Sequence, residues 1–376
     1  DTLLEGPPPG YNWRWCVDAA YAFCSGSSYD QYKEGQLRIL DAGCGSGVST
    51  DYLSHLNPGA DILAVDISAV ALNIAKKRLN MSGGDSISKV LFENRNLLDI
   101  DNENQFDYIN SVGALHHLDE PKAGLKVLAK ALKPSSLLHL FLYSRSGRTH
   151  IKRAQDAFQM LGISCSKKGV DLGRNLIKCL PENNPIRRDY IDNRSVQCEN
   201  DTNFADTYLH PFEYNFNLKD LFNFIDSSGL LFVGFSNPSI WSLERLIYGE
   251  LLELAKDLSR FDQLRLIEFL DPNISHFELF LAKKQFSIDD WSDDEKILNS
   301  SAKITRCIDN WPGKFVLNYE MNPIELGFES VKFLKALQKA PIKTPLHSLF
   351  LGWSPRQIAS IARDLQRQQV ILLSPG

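Results

Sequence analysis

The sequence predicts an α/β fold: a parallel sheet with helices on both faces, an insertion after the fifth strand, and a small α/β module behind it. Two observations carry this. Between residues 37 and 144, strand-like apolar runs alternate with amphipathic helical runs, the pattern of strands joined by helical crossovers. The first run opens straight into "DAGCGSG" (41–47), with glycine at every second position. There the backbone must turn tightly or admit a ligand closely. A chain of 376 residues has room for one large domain and a smaller one.

Residues 1–12 read as an extended leader, and "WRWCVDAAYAFCS" (13–25) has the helical spacing that completes an N-terminal unit over 1–36. "LRILDA" (37–42) is a buried strand, and "GVSTDYLSHL" (47–56) a helix that begins inside the glycine turn. "DILAVD" (61–66) is the second strand, followed by a helix with Ser68 as N-cap and Gly83 near its end. "KVLFENRN" (89–96) and "FDYINSVGA" (106–114) are the third and fourth strands. Pro121 opens the next helix, and "SLLHLFLYS" (136–144) is the fifth strand.

The alternation stops there. Residues 145–216 form a lid-like insertion, with one helix early and a polar stretch, 165–205, expected to be irregular. Helix 217–229, strand 230–236, a helical region and strand 276–284 complete a domain spanning 37–284, its last two strands expected to pair antiparallel at the sheet edge. "QFSIDDWSDDEKILNS" (285–300), with five acids and one lysine, reads as a solvated linker. Residues 301–376 order their helices and strands in a way compatible with a winged-helix-like accessory module.

Composition bounds the function. At 43% hydrophobic and 23% charged the chain is too apolar to be disordered. A net charge of -5 argues against a general polyanion binder, and the local +5 of residues 301–376 falls short of a nucleic-acid footprint. No run approaches 18 apolar residues, so no membrane span is expected. The chain begins at Asp1 without an initiator Met, so its true N-terminus is expected upstream; it shows no signal-peptide pattern. Seven widely spaced cysteines without a C-x-x-C pair fit free thiols in a reducing, cytoplasmic compartment and no metal site.

The ligand of the glycine turn is narrowed by three features. No Gly-Lys-Ser/Thr closes the turn, which excludes a P-loop. Gly43, Gly45 and Gly47 give G-x-G-x-G, whereas a dinucleotide fingerprint is G-x-G-x-x-G. Asp41, at the strand end, would repel a pyrophosphate but attract the ammonium and sulfonium of S-adenosylmethionine. Asp66, at the end of the second strand, is placed to accept from ribose hydroxyls and suits either kind of nucleoside.

"ILDAGCGSG", "AVDIS", "FENRNLLDI" and "FDYINSVGALHHLDEP" resemble, in order and separation, the motifs of class I S-adenosylmethionine-dependent methyltransferases, in the broad group whose fourth strand ends in "LHHL". The resemblance is strong over 37–144, weaker over 217–284, and absent from the C-terminal segment. It implies that family's seven-stranded Rossmann-like sheet and S-adenosylmethionine as cofactor. It places Asp41, Gly43, Cys44, Gly45 and Gly47 around the methionine moiety, Asp66 on the ribose, and Ile67 beside the adenine. Asn96 stands where the family commonly has an Asp near the adenine amino group, with Leu97 next to it and Asp99 a less favoured substitute. Ser111, Val112 and Gly113 would pass near the sulfonium end.

On the acceptor side, His116 and His117 lie just beyond the fourth strand and are candidates for a base, with His116 the preferred contact. "DTYLHPFEYNF" (206–216) ends the insertion and, by analogy with related methyltransferases, is expected to line the acceptor pocket through Tyr208, His210, Glu213 and Tyr214. Tyr143 is expected to face the same crevice, with Trp241 either lining it or packing at the edge. Arg145, Arg148, Lys152 and Arg153 read as a solvated helix face or, more sharply, as a surface for an acidic substrate or protein. The expected function is methyl transfer to a small molecule. The alternatives are a regulatory or scaffold protein that meets a protein or RNA partner through 301–376, and a nicotinamide-dependent oxidoreductase, which the glycine spacing and Asp41 disfavour.

Overall fold

The computed structural model describes residues 12–29, 37–318, 320–341, 343–350 and 352–376. The expected leader, apart from Asn12, lies outside the described residues. The first helix, α1 (Val17–Ser25), follows a single 3-10 turn at Trp13–Trp15. Then come β1 (Arg38–Ala42), α2 (Val48–Leu56), β2 (Asp61–Asp66), α3 (Ala69–Ser82), β3 (Lys89–Asn94), β4 (Phe106–Val112), α4 (Pro121–Ala131) and β5 (Leu132–Tyr143). Ser68 caps α3 through the Ala71 N–H at 3.2 Å, and Gly83 ends it in the left-handed conformation.

The insertion holds α5 (Thr149–Met160), α6 (Lys167–Cys179), α7 (Pro185–Asp189) and α8 (Asp201–Tyr208). This corrects the expectation of irregular chain over 165–205. Helix α6 buries Gly169, Val170, Gly173 and Ile177, with Leu176 half-buried beside them. Its apolar stripe packs into a small core with Phe158, Tyr190, Phe204 and Tyr208. Gly169, Gly173 and Asn175 within the helix, with Pro181 and Pro185 after it, read as turn formers and mask the helical period in the sequence.

Helix α9 (Leu218–Asp226), β6 (Leu231–Phe235), α10 (Glu250–Lys256), α11 (Arg260–Leu270) and β7 (His276–Ala282) complete the sheet, whose order is β3-β2-β1-β4-β5-β7-β6. Strand β7 alone runs antiparallel, to both β5 and β6. The chain winds outward from β1 to β3 and then returns to place β4 on the other side of β1. A crevice opens where the winding reverses, at the carboxyl ends of β1 and β4.

Residues 285–300 are not simply solvated. Trp291 is buried, its indole Nε1 donates to the Gly26 carbonyl at 2.6 Å, and the Asp289 N–H donates to Ser25 at 2.8 Å. The stretch is a strap across the end of α1 and leads into α12 (Asp294–Asn299). Beyond it lie β8 (Ser301–Ile304), β9 (Phe315–Leu317), β10 (Pro323–Glu325), α13 (Phe328–Lys339), α14 (Leu346–Leu349), α15 (Pro355–Arg367) and β11 (Ile371–Ser374). Strand β11 pairs antiparallel with β8, and these elements enclose a core including Phe333, Leu334, Ile358 and Ile371. The module docks on α1 through the Lys303–Asp18 ion pair at 2.8 Å and the Ser28 N–H to Leu373 bond at 2.9 Å. No helix among the described residues is long and apolar enough to cross a membrane.

Candidate active site

A cavity of about 760 Å³ fills the crevice. Its floor is the glycine turn, through Gly43 to Ser46 with Val48 and Ser49, while Gly47 lies behind it. One end is formed by Asp66, Ile67 and Arg95 to Leu98, and the remaining walls by Val112 to Ala114, His117 to Asp119, His210 to Phe212 and Trp15. This size lies within the roughly 300–1,000 Å³ range of sites for cofactors and small ligands.

The turn has the shape of a cradle. Gly47 has φ +80°, and a Cβ there would lie 2.6 Å from that of Ala75, so glycine lets α3 approach. Gly45 has φ +52° with nothing within 4 Å of a Cβ, so its bare backbone faces open space. Asp66 buttresses the turn: Oδ2 accepts from the Gly45 N–H and Oδ1 from the Ser68 N–H, each at 2.8 Å. Each oxygen keeps a second lone pair for a ligand hydroxyl. Asn96 lines the opposite end, its Oδ1 accepting from the Leu98 N–H at 3.0 Å. Open glycine backbone, a carboxylate one strand away and the apolar Ile67 and Leu97 beyond it fit an elongated nucleoside with a polar tail.

Asp41 does not reach the wall. It is 1% exposed and accepts from Ser49 Oγ, Thr50 Oγ1 and Asn110 Nδ2 at 2.8, 2.6 and 2.8 Å. Burial pushes its carboxyl above the usual range, against those three bonds. It fixes the start of α2 from beneath, which corrects its expected place beside the ligand. Ser111 is likewise buried, donating to the Ala42 carbonyl at 3.2 Å, while Val112 behind it does line the cavity. Cys44 lines it too, its thiol pushed up by burial.

The two histidines exchange their expected places. His117 is on the cavity wall, and its Nδ1 lies 2.8 Å from the Phe212 carbonyl. His116 is fully buried behind it, its ring tilted against that of Tyr143 with centroids 4.0 Å apart. His210 faces the cavity with its ring 3.8 Å from that of His117 and its Nδ1 2.6 Å from the same carbonyl. Tyr208 points away, into the core of the insertion at 2% exposure. Tyr143 lies beneath the Arg148 guanidinium at 3.5 Å, and Tyr214 packs on Phe216 at 4.6 Å; neither lines the cavity. Trp241 is stacked on Phe235 near the β6 edge, away from the site.

A buried ion pair anchors the loop that carries Phe212. Arg148 Nε and Nη2 meet Glu213 Oε1 and Oε2 at 3.0 and 2.6 Å, with side chains 5% and 2% exposed. Arg145 pairs with Asp220 and Lys152 with Asp156. Three of the four cations are therefore paired at short range, which fits the solvated face at Arg145 and Lys152 and weakens the sharper reading of a surface for an acidic substrate or protein.

Burial lowers the pKa of both histidines, well below the usual value for His116. The sign for stability follows. Below pH of about 6.5 the unfolded chain takes up protons that these rings refuse, so stability is full above that pH and lost as pH falls. Equilibrium urea denaturation should show a decline that approaches about 1.4 kcal/mol per pH unit for His116, with a smaller addition from His117. His116→Phe should flatten that slope between pH 6.5 and 5; an unaltered slope contradicts the assignment.

Trp15, Ser46, Val48, Arg95, Leu98, Ala114, Leu118, Asp119, Pro211 and Phe212 also line the cavity and were not singled out from the sequence. Asp119 and Leu118 follow directly on "LHHL", so proximity to that motif was an available signal. Nothing in "WRWC" marks Trp15 as a wall.

A family model for a methyltransferase domain matches residues 40–138. An uncharacterized protein of Synechococcus sp. is 39% identical over all of this chain and 90% of its own length. An uncharacterized phycocyanin operon protein W of Pseudanabaena tenuis is 52% identical over 82 residues, 22% of this chain and 74% of that one. Among solved structures, PKMT2 of Rickettsia typhi, in complex with AdoHcy, shares the fold with a TM-score of 0.62 at 14% identity, covering 98% of this chain and 77% of the other.

Proposed function

The chain belongs to the class I S-adenosylmethionine-dependent methyltransferases, and on that premise we propose that it methylates a small molecule whose accepting atom carries a proton, with His117 as the base. The cofactor supplies the electrophilic methyl of a sulfonium, so the protein contributes orientation and exclusion of water. In this reading the turn from Gly43 to Gly47 holds the methionine portion, Asp66 the ribose, and Ile67, Asn96 and Leu97 the adenine. The acceptor enters past Phe212 and His210.

One observation carries the base assignment, the contact of His117 Nδ1 with the Phe212 carbonyl. A carbonyl only accepts, so Nδ1 bears the hydrogen and Nε2 keeps its lone pair. Burial keeps the ring neutral at pH 7. Asparagine reproduces the Nδ1 donor without Nε2, so His117→Asn is expected to lower turnover about 10²–10⁴-fold. Calorimetric affinity for S-adenosylhomocysteine should stay within about threefold. Wild-type turnover in this variant would remove the base.

The acceptor class is read by incubating methyl-labelled S-adenosylmethionine with cell extract separated into metabolites and protein. Label among the metabolites supports the small-molecule reading. A protein side chain is the second reading, favoured by the name of the Pseudanabaena relative, which ties it to a phycocyanin operon. Label on the protein fraction, with purified phycocyanin as one member, would install it. Cofactor binding without label in either fraction favours a regulatory role through 301–376. Seven unbridged thiols support a cytoplasmic location.

A further inference from the structure

Polar side chains inside a sheet are retained at a cost in desolvation unless every one of them is partnered. A line of them crosses this sheet. Asn110 on β4 donates through Nδ2 to Asp41 on β1 at 2.8 Å. Asn110 Oδ1 lies 2.9 Å from the indole Nε1 of Trp15 and 2.8 Å from Nδ1 of His139 on β5. His139 Nε2 lies 3.2 Å from Glu278 Oε1 on β7, and Glu278 Oε2 meets Arg14 and Ser236 Oγ, each at 2.6 Å. Asn110 and His139 are completely buried.

The hydrogens in this line are determined by its ends. The Asp41 carboxylate only accepts, which turns the Asn110 amide nitrogen toward it and the amide oxygen toward Trp15 and His139. His139 therefore donates from Nδ1, and with a carboxylate at Nε2 it donates there as well. Burial opposes a charged Glu278, yet the His139 bond and charge, with Arg14, hold its carboxyl down at about 2. The donors diverge from His139, through Asn110 to Asp41 on one side and to Glu278 on the other, and reversing Asn110 would set its amide oxygen against the Asp41 carboxylate and its nitrogen against the Trp15 and His139 donors.

One end of the line lies under the glycine turn, because Asp41 also holds Ser49 and Thr50. The other end is the segment before α1. Its backbone is fixed as well: Tyr108 Oη donates to the Arg14 carbonyl, and Asn57 Nδ2 donates to the Trp15 carbonyl at 2.8 Å. The Trp15 ring, 5.0 Å from that of Tyr52 on α2, forms the cavity wall beside Val48 and Ser49. In the strand order, Trp15 is bonded to β4, on the other side of β1 from β3, which leads to Asn96 and Leu97.

We propose that Trp15 is a clamp on the amino-acid portion of the cofactor, and that Asn110, His139 and Glu278 are positioning residues that lock it from inside the sheet. The inference rests on the cofactor placement proposed above. Side chains that never touch the ligand then govern affinity for one half of it and not for the other.

Calorimetry with two probes tests this: S-adenosylhomocysteine, and 5′-methylthioadenosine, which lacks the amino-acid portion. Trp15→Ala should weaken S-adenosylhomocysteine at least tenfold and change methylthioadenosine by less than twofold. His139→Phe, which removes both donors, should cost at least fivefold for the first probe and spare the second. His139→Gln, which keeps one N–H, should recover part of the loss. Equal losses for both probes, or none for either in Trp15→Ala and His139→Phe, overturn the clamp. Should His139→Phe fail to fold, Trp15→Phe decides: it keeps an aromatic ring, though a smaller one, loses the N–H, and must fall between wild type and Trp15→Ala. Asp66→Ala separates the two readings, since unchanged affinity for both probes there refutes the cofactor placement itself.

Discussion

Asp66→Ala is expected to raise the dissociation constant for S-adenosylhomocysteine at least a hundredfold. The side chain would lose two charge-assisted bonds to ribose hydroxyls, at about 1.5–3 kcal/mol each. With tenfold for every 1.4 kcal/mol, that amounts to about 10²–10⁴ in affinity. The substitution also strips the Gly45 and Ser68 N–H groups of their acceptor, so the cradle itself loosens. Asp66→Asn keeps one accepting oxygen and turns an amide against one of those N–H groups; an intermediate value is expected. Isothermal calorimetry reads all three proteins, and an alanine variant within threefold of wild type would show that the ribose lies elsewhere.

The second large effect is on stability. Glu213→Ala leaves the Arg148 guanidinium buried without its carboxylate, and breaking one partner of a buried pair costs about 3–5 kcal/mol. Replacing both, as Arg148→Met with Glu213→Leu, removes the stranded charge and should recover much of that loss. Chemical denaturation measures the stability of each variant, and limited proteolysis shows whether the insertion opens first. The single variant should also lose turnover, because Glu213 anchors the loop whose Phe212 carbonyl orients His117 and His210. A stability loss under about 1 kcal/mol would mean that the loop is held by its other contacts.

The sheet was legible because its signals are local and redundant. Each strand from β1 to β5 is an apolar run ending at a turn residue, and the caps Ser68 and Gly83 are chemically specific. That Gly45 and Asp66 line the crevice was legible for the same reason, since a glycine turn after the first strand and a carboxylate ending the second both fall at the carboxyl edge of the sheet. Facing was not legible. His116 and His117 are adjacent in a 3-10 turn, and which one meets the cavity is decided by whether Tyr143 and Arg148 close over the other. Tyr208 failed likewise: its ring completes the core of an insertion whose helices are masked in the sequence by glycine, asparagine and proline. Trp15 was invisible because its partner, Asn110, lies 95 residues away.

The segment before α1 has a consequence for how the protein comes into being. Arg14 needs Glu278, Trp13 packs its ring 5.8 Å from Phe280, and Ser25 and Gly26 receive the strap at Asp289 and Trp291. At about 5–20 residues per second, a ribosome delivers those partners only some 15–60 s after the segment itself has emerged. Asn57, Tyr108 and Asn110 are made early enough to receive the segment, so what comes last is its lock, and the wall formed by Trp15 becomes rigid only as a final step of assembly. A nascent chain halted before β7 would hold the glycine cradle and an unlocked wall, and should grip the nucleoside half of the cofactor more firmly than the other half.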